Sequence, residues 1–175
     1  MGFFDIFKKK AEPAPEPVKA AAPAGPVIVA ADAKGTIVPM DKIPDDVFAQ
    51  GILGTCCGID PSEGKVFAPV DGSVTQVPDT LHALGIQADN GAEILIHVGV
   101  DTVEMKGEGF KSTLKVGDHV SKGQLVLEMD LAKIAAAGHP AVVITVVTNS
   151  DDYASVELVA EGAVEPGADM LKATK

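Results

Sequence analysis

A chain of 175 residues with a formal net charge of −11 repels a phosphate backbone, which excludes nucleic acid as a partner and suits a basic protein surface instead. All 14 cations are Lys, so any phosphate chemistry must work through imidazole, Lys or backbone N–H groups rather than a guanidinium fork. Hydrophobic residues reach 46% but aromatics only 4%, which gives a core of Val, Ile, Leu and Ala.

No apolar run approaches the ~20 residues of a membrane span. The start lacks the pattern of a secretory signal. Cys56 and Cys57 are adjacent and have no CxxC or CxxH spacing for structural zinc, so a reduced, cytoplasmic chain is expected.

Residues 1–10, MGFFDIFKKK, place Phe3, Phe4, Ile6 and Phe7 within about half the circle of a helix, followed by three Lys. This reads either as a minimal anchor for weak contact with an anionic membrane surface, here the inner face of a membrane, or as a tail that is apolar without that role. Residues 11–26 are an Ala/Pro/Glu linker whose prolines favour an extended spacer. The folded domain is expected over residues 27–175.

Strand and turn signals dominate from there. VIVAA and TIVPM are short apolar runs, and KVFAPVDGSVTQV reads as a strand, an Asp-Gly turn and a strand. HALGIQADNGAEILIHVGV reads as a hairpin, VSKGQLVLEMD and AVVITVVTN as buried strands, and the C-terminal stretch as short strands and turns. IPDDVFAQGI and DLAKIAAAG each hold one helical turn, the second stopped by Gly138. Many short strands separated by Gly, Pro and Asp define an all-β fold. A sandwich or a barrel with one or two very short helical turns would satisfy this pattern, and the family resemblance described below implies the antiparallel β-sandwich, of the barrel-sandwich hybrid kind.

The hairpin carries the chemistry. A two-residue Asn90-Gly91 turn would make Asp89 face Ala92, Leu84 face His97 and His82 face Gly99. His82 and His97 then become diagonal neighbours on one face, with Gly99 leaving space beside them. Ile94, Ile96, Val98 and Val100 take the core face; Leu95, His97, Gly99 and Asp101 take the other. Leu84, Ile86 and Leu95 form an apolar rim, the look of a docking face. A three-residue loop would flip this register. His119, in a turn, and His139, beside Pro140, read as ordinary surface or satisfied residues.

Two converging imidazoles permit three chemistries. A neutral imidazole accepts a phosphoryl group while the other donates a hydrogen bond to it. The pair also supplies half a zinc site, to be completed by water or a partner's carboxylate. A Ser-His hydrolase would need a nucleophile elbow, and the sequence has none. Asp101 is placed to orient an imidazole.

The stretches FAPVDGSV, DTLHALGI, NGAEILIHVGVDTVEMKGEGF and KVGDHVSKGQLVLEMDL together resemble the glucose-type enzyme IIA of the bacterial phosphoenolpyruvate:sugar phosphotransferase system, over roughly residues 27–165. The resemblance implies a monomeric cytoplasmic phosphocarrier. It would take a phosphoryl group from the phosphocarrier protein HPr and pass it to the IIB domain of a sugar permease. It places His97 as the phosphoryl acceptor, His82 as the assisting histidine and Thr80 as the support of His82. It puts Asp101 and Val103 in the strip lining the docking face, and Val47, Phe48, Ile52 and Leu53 in another part of it. No cofactor is implied, except zinc shared by His82 and His97 with a partner, as in relatives that also regulate other enzymes when unphosphorylated. GTCCGID departs from the family's Gly-acidic-Gly pattern and is expected to alter a turn near the site.

Two rivals remain. KVGDHVSKGQLVLEMDL also resembles the strand before a biotinylated or lipoylated lysine, but Met129 is followed by Asp130 rather than Lys. A zinc-binding interaction module would need a partner's ligand to complete its site.

Overall fold

Short β-branched runs punctuated by Gly, Pro and Asp become strands almost throughout the computed structural model, which describes residues 26–175. In chain order these are β1 (Val27–Ala30), β2 (Gly35–Val38), β3 (Thr55–Pro61), β4 (Lys65–Phe67), β5 (Gly72–Gln76), β6 (Ala83–Ala88) and β7 (Glu93–Val98). They continue as β8 (Phe110–Lys111), β9 (His119–Val120), β10 (Leu125–Met129), β11 (Val143–Val147), β12 (Ser155–Leu158), β13 (Ala163–Val164) and β14 (Asp169–Thr174). The anchor expected over residues 1–10, and the linker up to residue 25, lie outside the described residues.

An antiparallel sheet in the order β13-β2-β3-β11-β7-β6-β5-β9 forms the main layer. Two three-stranded sheets, β1-β14-β12 and β4-β10-β8, complete the β-sandwich. Among the described residues, helical structure is confined to α1 (Asp46–Ala49) and α2 (Leu131–Ala136), in the two stretches read as helical from the sequence, and to short 3-10 turns elsewhere. Asp45 caps α1 by accepting from the Val47 N–H, and Asp130 caps α2 by accepting from the N–H groups of Ala132 and Lys133. Gly138, with φ 82°, follows the end of α2 as a left-handed stop.

The two faces of the main sheet do different work. On the inner face Cys57, Thr145, Ile96 and Leu84 stand side by side across β3, β11, β7 and β6, within the main core. On the outer face the row is Gly58, Ile144, His97 and Ala83. All five residues of β11 are buried because both faces are covered: Val143 and Val147 join the main core, while Ile144 and Val146 join a smaller cluster with Ile43, Phe48, Cys56 and Val142. Val100, expected with Ile94, Ile96 and Val98 in the main core, is buried in this smaller cluster instead.

Three local expectations need correction. The β6–β7 connection is a three-residue loop, Asp89-Asn90-Gly91. Ala88 and Ala92 close it through the Ala88 N–H and the Ala92 carbonyl at 2.8 Å, and Gly91 is left-handed at φ 98°. Asp89 is drawn out of the ladder by a bond from its N–H to the Asp71 carbonyl and a hydrogen bond between its Oδ2 and His119 Nε2 at 2.9 Å. The register therefore shifts by one: Ala83 faces His97, and Leu84 faces Ile96. Leu84 and Ile86, expected on the docking face, are each 1% exposed in the main core.

The Asp-Gly pair at 71–72 makes no hairpin, because β4 pairs with β10 while β5 pairs with β6. Gly72 is required there because a Cβ would overlap the Gln87 carbonyl. TCCGIDP, read as an altered turn, is the inner strand β3, between β2 and β11. Its glycine and acidic flank hid the strand, while tertiary pairing on both sides enforces it.

Asp32 is fully buried and accepts from the Thr145 hydroxyl at 2.6 Å, and its Oδ1 has no hydrogen-bond partner. Burial pushes its pKa up from 3.8 to about 6, against the lowering effect of the Thr145 hydrogen bond. A raised carboxyl pKa means that the fold binds a proton the unfolded chain has already released. Stability from this group is thus full below pH 3.8 and lost as pH rises through about 6. The shift corresponds to about 3 kcal/mol. Asp32→Asn should flatten the wild-type loss between pH 4 and 7 in urea unfolding; equal pH slopes in the two proteins would show that Asp32 titrates normally.

Candidate functional site

β7 brings His97 to the outer face of the main sheet, between Ile144 of β11 and Ala83 of β6. The strand ends immediately afterwards at Gly99, whose φ of 77° turns the chain back. That turn aims the Gly99 carbonyl at the ring: His97 Nδ1 lies 2.8 Å from it. A carbonyl only accepts, so Nδ1 carries the proton and Nε2 holds the free lone pair. Gly99 was expected to leave space beside the pair. It is buried, a Cβ there would collide with Thr102 and the Pro140 carbonyl, and its contribution is the acceptor oxygen.

His82 reaches the same face from just ahead of β6. Its ring meets that of His97 edge-on, with centroids 5.2 Å apart and planes at 80°. Thr80 Oγ1 holds His82 Nδ1 at 2.6 Å. The two histidines do converge, but through a bend before β6 rather than by the diagonal pairing expected for a two-residue turn. Phe48 of α1 packs its ring on the other side of His97, 5.0 Å between centroids and tilted by 52°. Phe48 was expected as a docking residue; at 5% exposed it is instead a buried wall of the site.

Val47, Ile52, Leu53 and Val103, expected in the docking face, are exposed, at 42, 65, 41 and 48%. Leu95 is half-buried against the smaller cluster. Asp101 is exposed and left-handed at φ 59°, at the head of the 3-10 turn Thr102–Met105. The open groove of about 710 Å3 between Ser62–Lys65, Phe110 and Asp130 contains neither histidine. The two imidazoles lie on the outer face of the main sheet, outside that groove.

Both imidazoles are held below their ordinary pKa. Burial lowers that of His97, opposed by the Gly99 hydrogen bond and the charges of Asp45 and Asp101. Burial lowers that of His82 as well, with repulsion from His97 adding to it. Neutral rings at pH 7 are nucleophiles; protonated ones are not. Asp45 was missed from the sequence, where IPDDVFAQGI was read only as a helical turn. Among the described residues no group of three or more His, Cys, Asp or Glu gathers to hold a metal. The His pair supplies two ligands toward a tetrahedral ion.

A neutral imidazole with a free Nε2 lone pair and a second ring beside it, on the outer face of a β-sandwich, is the equipment of a group-transfer carrier. The known proteins agree. Residues 27–153 match the family of the phosphoenolpyruvate-dependent sugar phosphotransferase system, EIIA 1, and the chain belongs to that family. It is 40% identical over 148 residues to a glucose-specific EIIA component from Halalkalibacterium halodurans, covering 85% of this chain and 86% of the relative. It is 42% identical over 138 residues to a beta-glucoside-specific EIIBCA component from Dickeya chrysanthemi, covering 79% of this chain but only 22% of that longer protein. The structure of the glucose permease IIA from Mycoplasma capricolum superimposes with a TM-score of 0.76 at 31% identity, covering 85% of this chain and 96% of that one. Its function is that of an EIIA-type phosphocarrier.

Gly99→Ala should displace the carbonyl that fixes the His97 tautomer and lower phosphoryl acceptance at least tenfold. Imidazole 15N spectra would show loss of the single Nδ1–H tautomer; an unchanged tautomer and rate would remove Gly99 from the site.

Proposed function

We propose that His97 Nε2 accepts a phosphoryl group from phospho-HPr and that His82 assists its passage to the IIB domain of a sugar permease. The observation that carries this reading is the Nδ1 hydrogen bond to Gly99, which leaves Nε2 of a neutral ring as the free nucleophile. The lone pair of Nε2 forms the new P–N bond as the bond to the donor's histidine breaks and its electron pair returns to the donor ring. Nδ1 keeps its proton throughout. The positive charge that develops on the His97 ring is favoured by the Gly99 carbonyl and by the carboxylates of Asp45 and Asp101.

His82 is supported at Nδ1 by Thr80 and presents its other nitrogen for a hydrogen bond to a phosphoryl oxygen. Val47, Ile52, Leu53 and Val103 supply the apolar docking contacts. The net charge of −11 steers basic partners toward the chain. The domain over residues 27–175 works in the cytoplasm as a monomer. Among its described residues no helix is long and apolar enough to cross a membrane. Residues 1–10 make weak contact with the membrane surface, and residues 11–26 tether the domain to it.

Labelling with phosphoenolpyruvate, purified enzyme I and HPr tests the assignment. His97→Ala should accept no label, and a labelled variant would refute it. His82→Gln should accept from HPr within threefold of wild type but pass the group to IIB at least tenfold more slowly. Removal of residues 1–10 should leave labelling in solution intact and reduce binding to anionic vesicles; lost labelling would show that the segment belongs to the fold.

A further inference from the structure

Strand geometry at the entry to β6 sends His82 the wrong way. Ala83 faces His97 and Leu84 faces Ile96, so alternate residues take alternate faces. One step back, the His82 carbonyl accepts from the Val98 N–H at 2.7 Å, and Val98 is fully buried in the main core. An uninterrupted strand would put the His82 side chain beneath the sheet with Val98, and Leu81 outside with His97. The molecule does the reverse: the His82 ring meets His97 at 5.2 Å, and Leu81 packs against the main core.

The inversion coincides with a backbone anomaly. Leu81 has φ 52°, in the left-handed region that glycine, Asn and Asp visit routinely and other residues avoid. Its N–H bonds back to the Pro78 carbonyl at 2.9 Å, closing a turn over Pro78–Leu81. Leucine brings no local hydrogen bond to ease this conformation. What it brings is an apolar side chain that packs, half-buried, against the main core.

We propose that Leu81 is a positioning residue for phosphoryl transfer: its side chain, anchored against the main core, enforces the left-handed turn that swings His82 from the underside of the sheet onto the face of His97. The turn places Thr80 beside His82 as well, so one anchored residue sets both the ring and its support. The kinetic consequence rests on the phosphocarrier reading given above; the geometric one does not.

Three substitutions separate anchor from backbone, read by the nuclear Overhauser contact between the two imidazole rings and by the transfer steps. Leu81→Met keeps an apolar anchor and should retain the ring contact, with onward transfer to IIB within twofold of wild type. Leu81→Val resists the left-handed region through its β-branch. It should lose the ring contact and slow onward transfer at least tenfold, matching His82→Ala, while HPr-dependent labelling of His97 stays within threefold. Leu81→Gly takes the turn freely but has no anchor, and should weaken the contact and slow transfer at least threefold; it also decides the matter if the Val variant does not fold. Wild-type ring contact and transfer in the Gly variant, or in a folded Val variant, would overturn the proposal. So would a loss in the Met variant as large as that in the Gly variant. If wild-type His97 takes no label, the carrier reading fails, and the ring contacts still decide the role of Leu81.

Discussion

His97 owes its orientation to the fact that β7 is paired on both sides. β11 and β6 lock the register, so that Gly58, Ile144, His97 and Ala83 form one row across the outer face. A slip of one residue would bury the imidazole and expose Ile96 and Val98, an outcome made prohibitive by the large apolar area on the inner face. The small side chains of the row also matter. Gly58 accommodates Val142 and Val38, whose atoms a Cβ would meet at 2.8 and 3.3 Å. Core packing beneath the sheet thus fixes the chemistry above it.

The electrostatics of the site suit a carrier rather than a trap. The carrier must take a phosphoryl group and give it up, so its intermediate needs moderate stability. The chain contains no Arg, and the bidentate clamp that would hold a phosphate tightly is absent. Charge compensation comes from the other side of the reaction, through carboxylates and a carbonyl acting on the imidazole. They favour the charged ring without gripping the group it carries. Burial, working against them, keeps the resting ring neutral.

The alternation of β7 was legible because Ile94, Ile96 and Val98 repeat strictly, and the pair His82–His97 was legible because both lie on one hairpin. Its register was not. Asn90-Gly91 suits both a two-residue turn and the last two positions of a three-residue loop, and the choice is made by Asp71 and His119, which hold Asp89 from elsewhere in the chain. Leu84 and Ile86 were misplaced by that single residue. Phe48 was found as part of the site but not as its wall, since nothing local says which face of a four-residue helix points down. The strand through Cys56 and Cys57 was hidden because its partners, β2 and β11, are what make it a strand.

Those two cysteines occupy opposite faces of β3 and therefore different neighbourhoods. Cys56 lies in the small cluster beneath α1, with its sulfur 3.3 Å from the Phe48 carbonyl, whereas Cys57 belongs to the main core. Burial pushes their pKa values up to about 11 and about 12, so neither thiol is a reactive thiolate in the closed molecule. Modification by a thiol reagent must then wait for an opening, and each sulfur waits for a different one. Exposure of Cys56 marks the lifting of α1 from behind His97, and exposure of Cys57 marks the parting of the sandwich. The adjacent pair makes the chain its own reporter, able to time loosening of the docking face separately from loss of the fold.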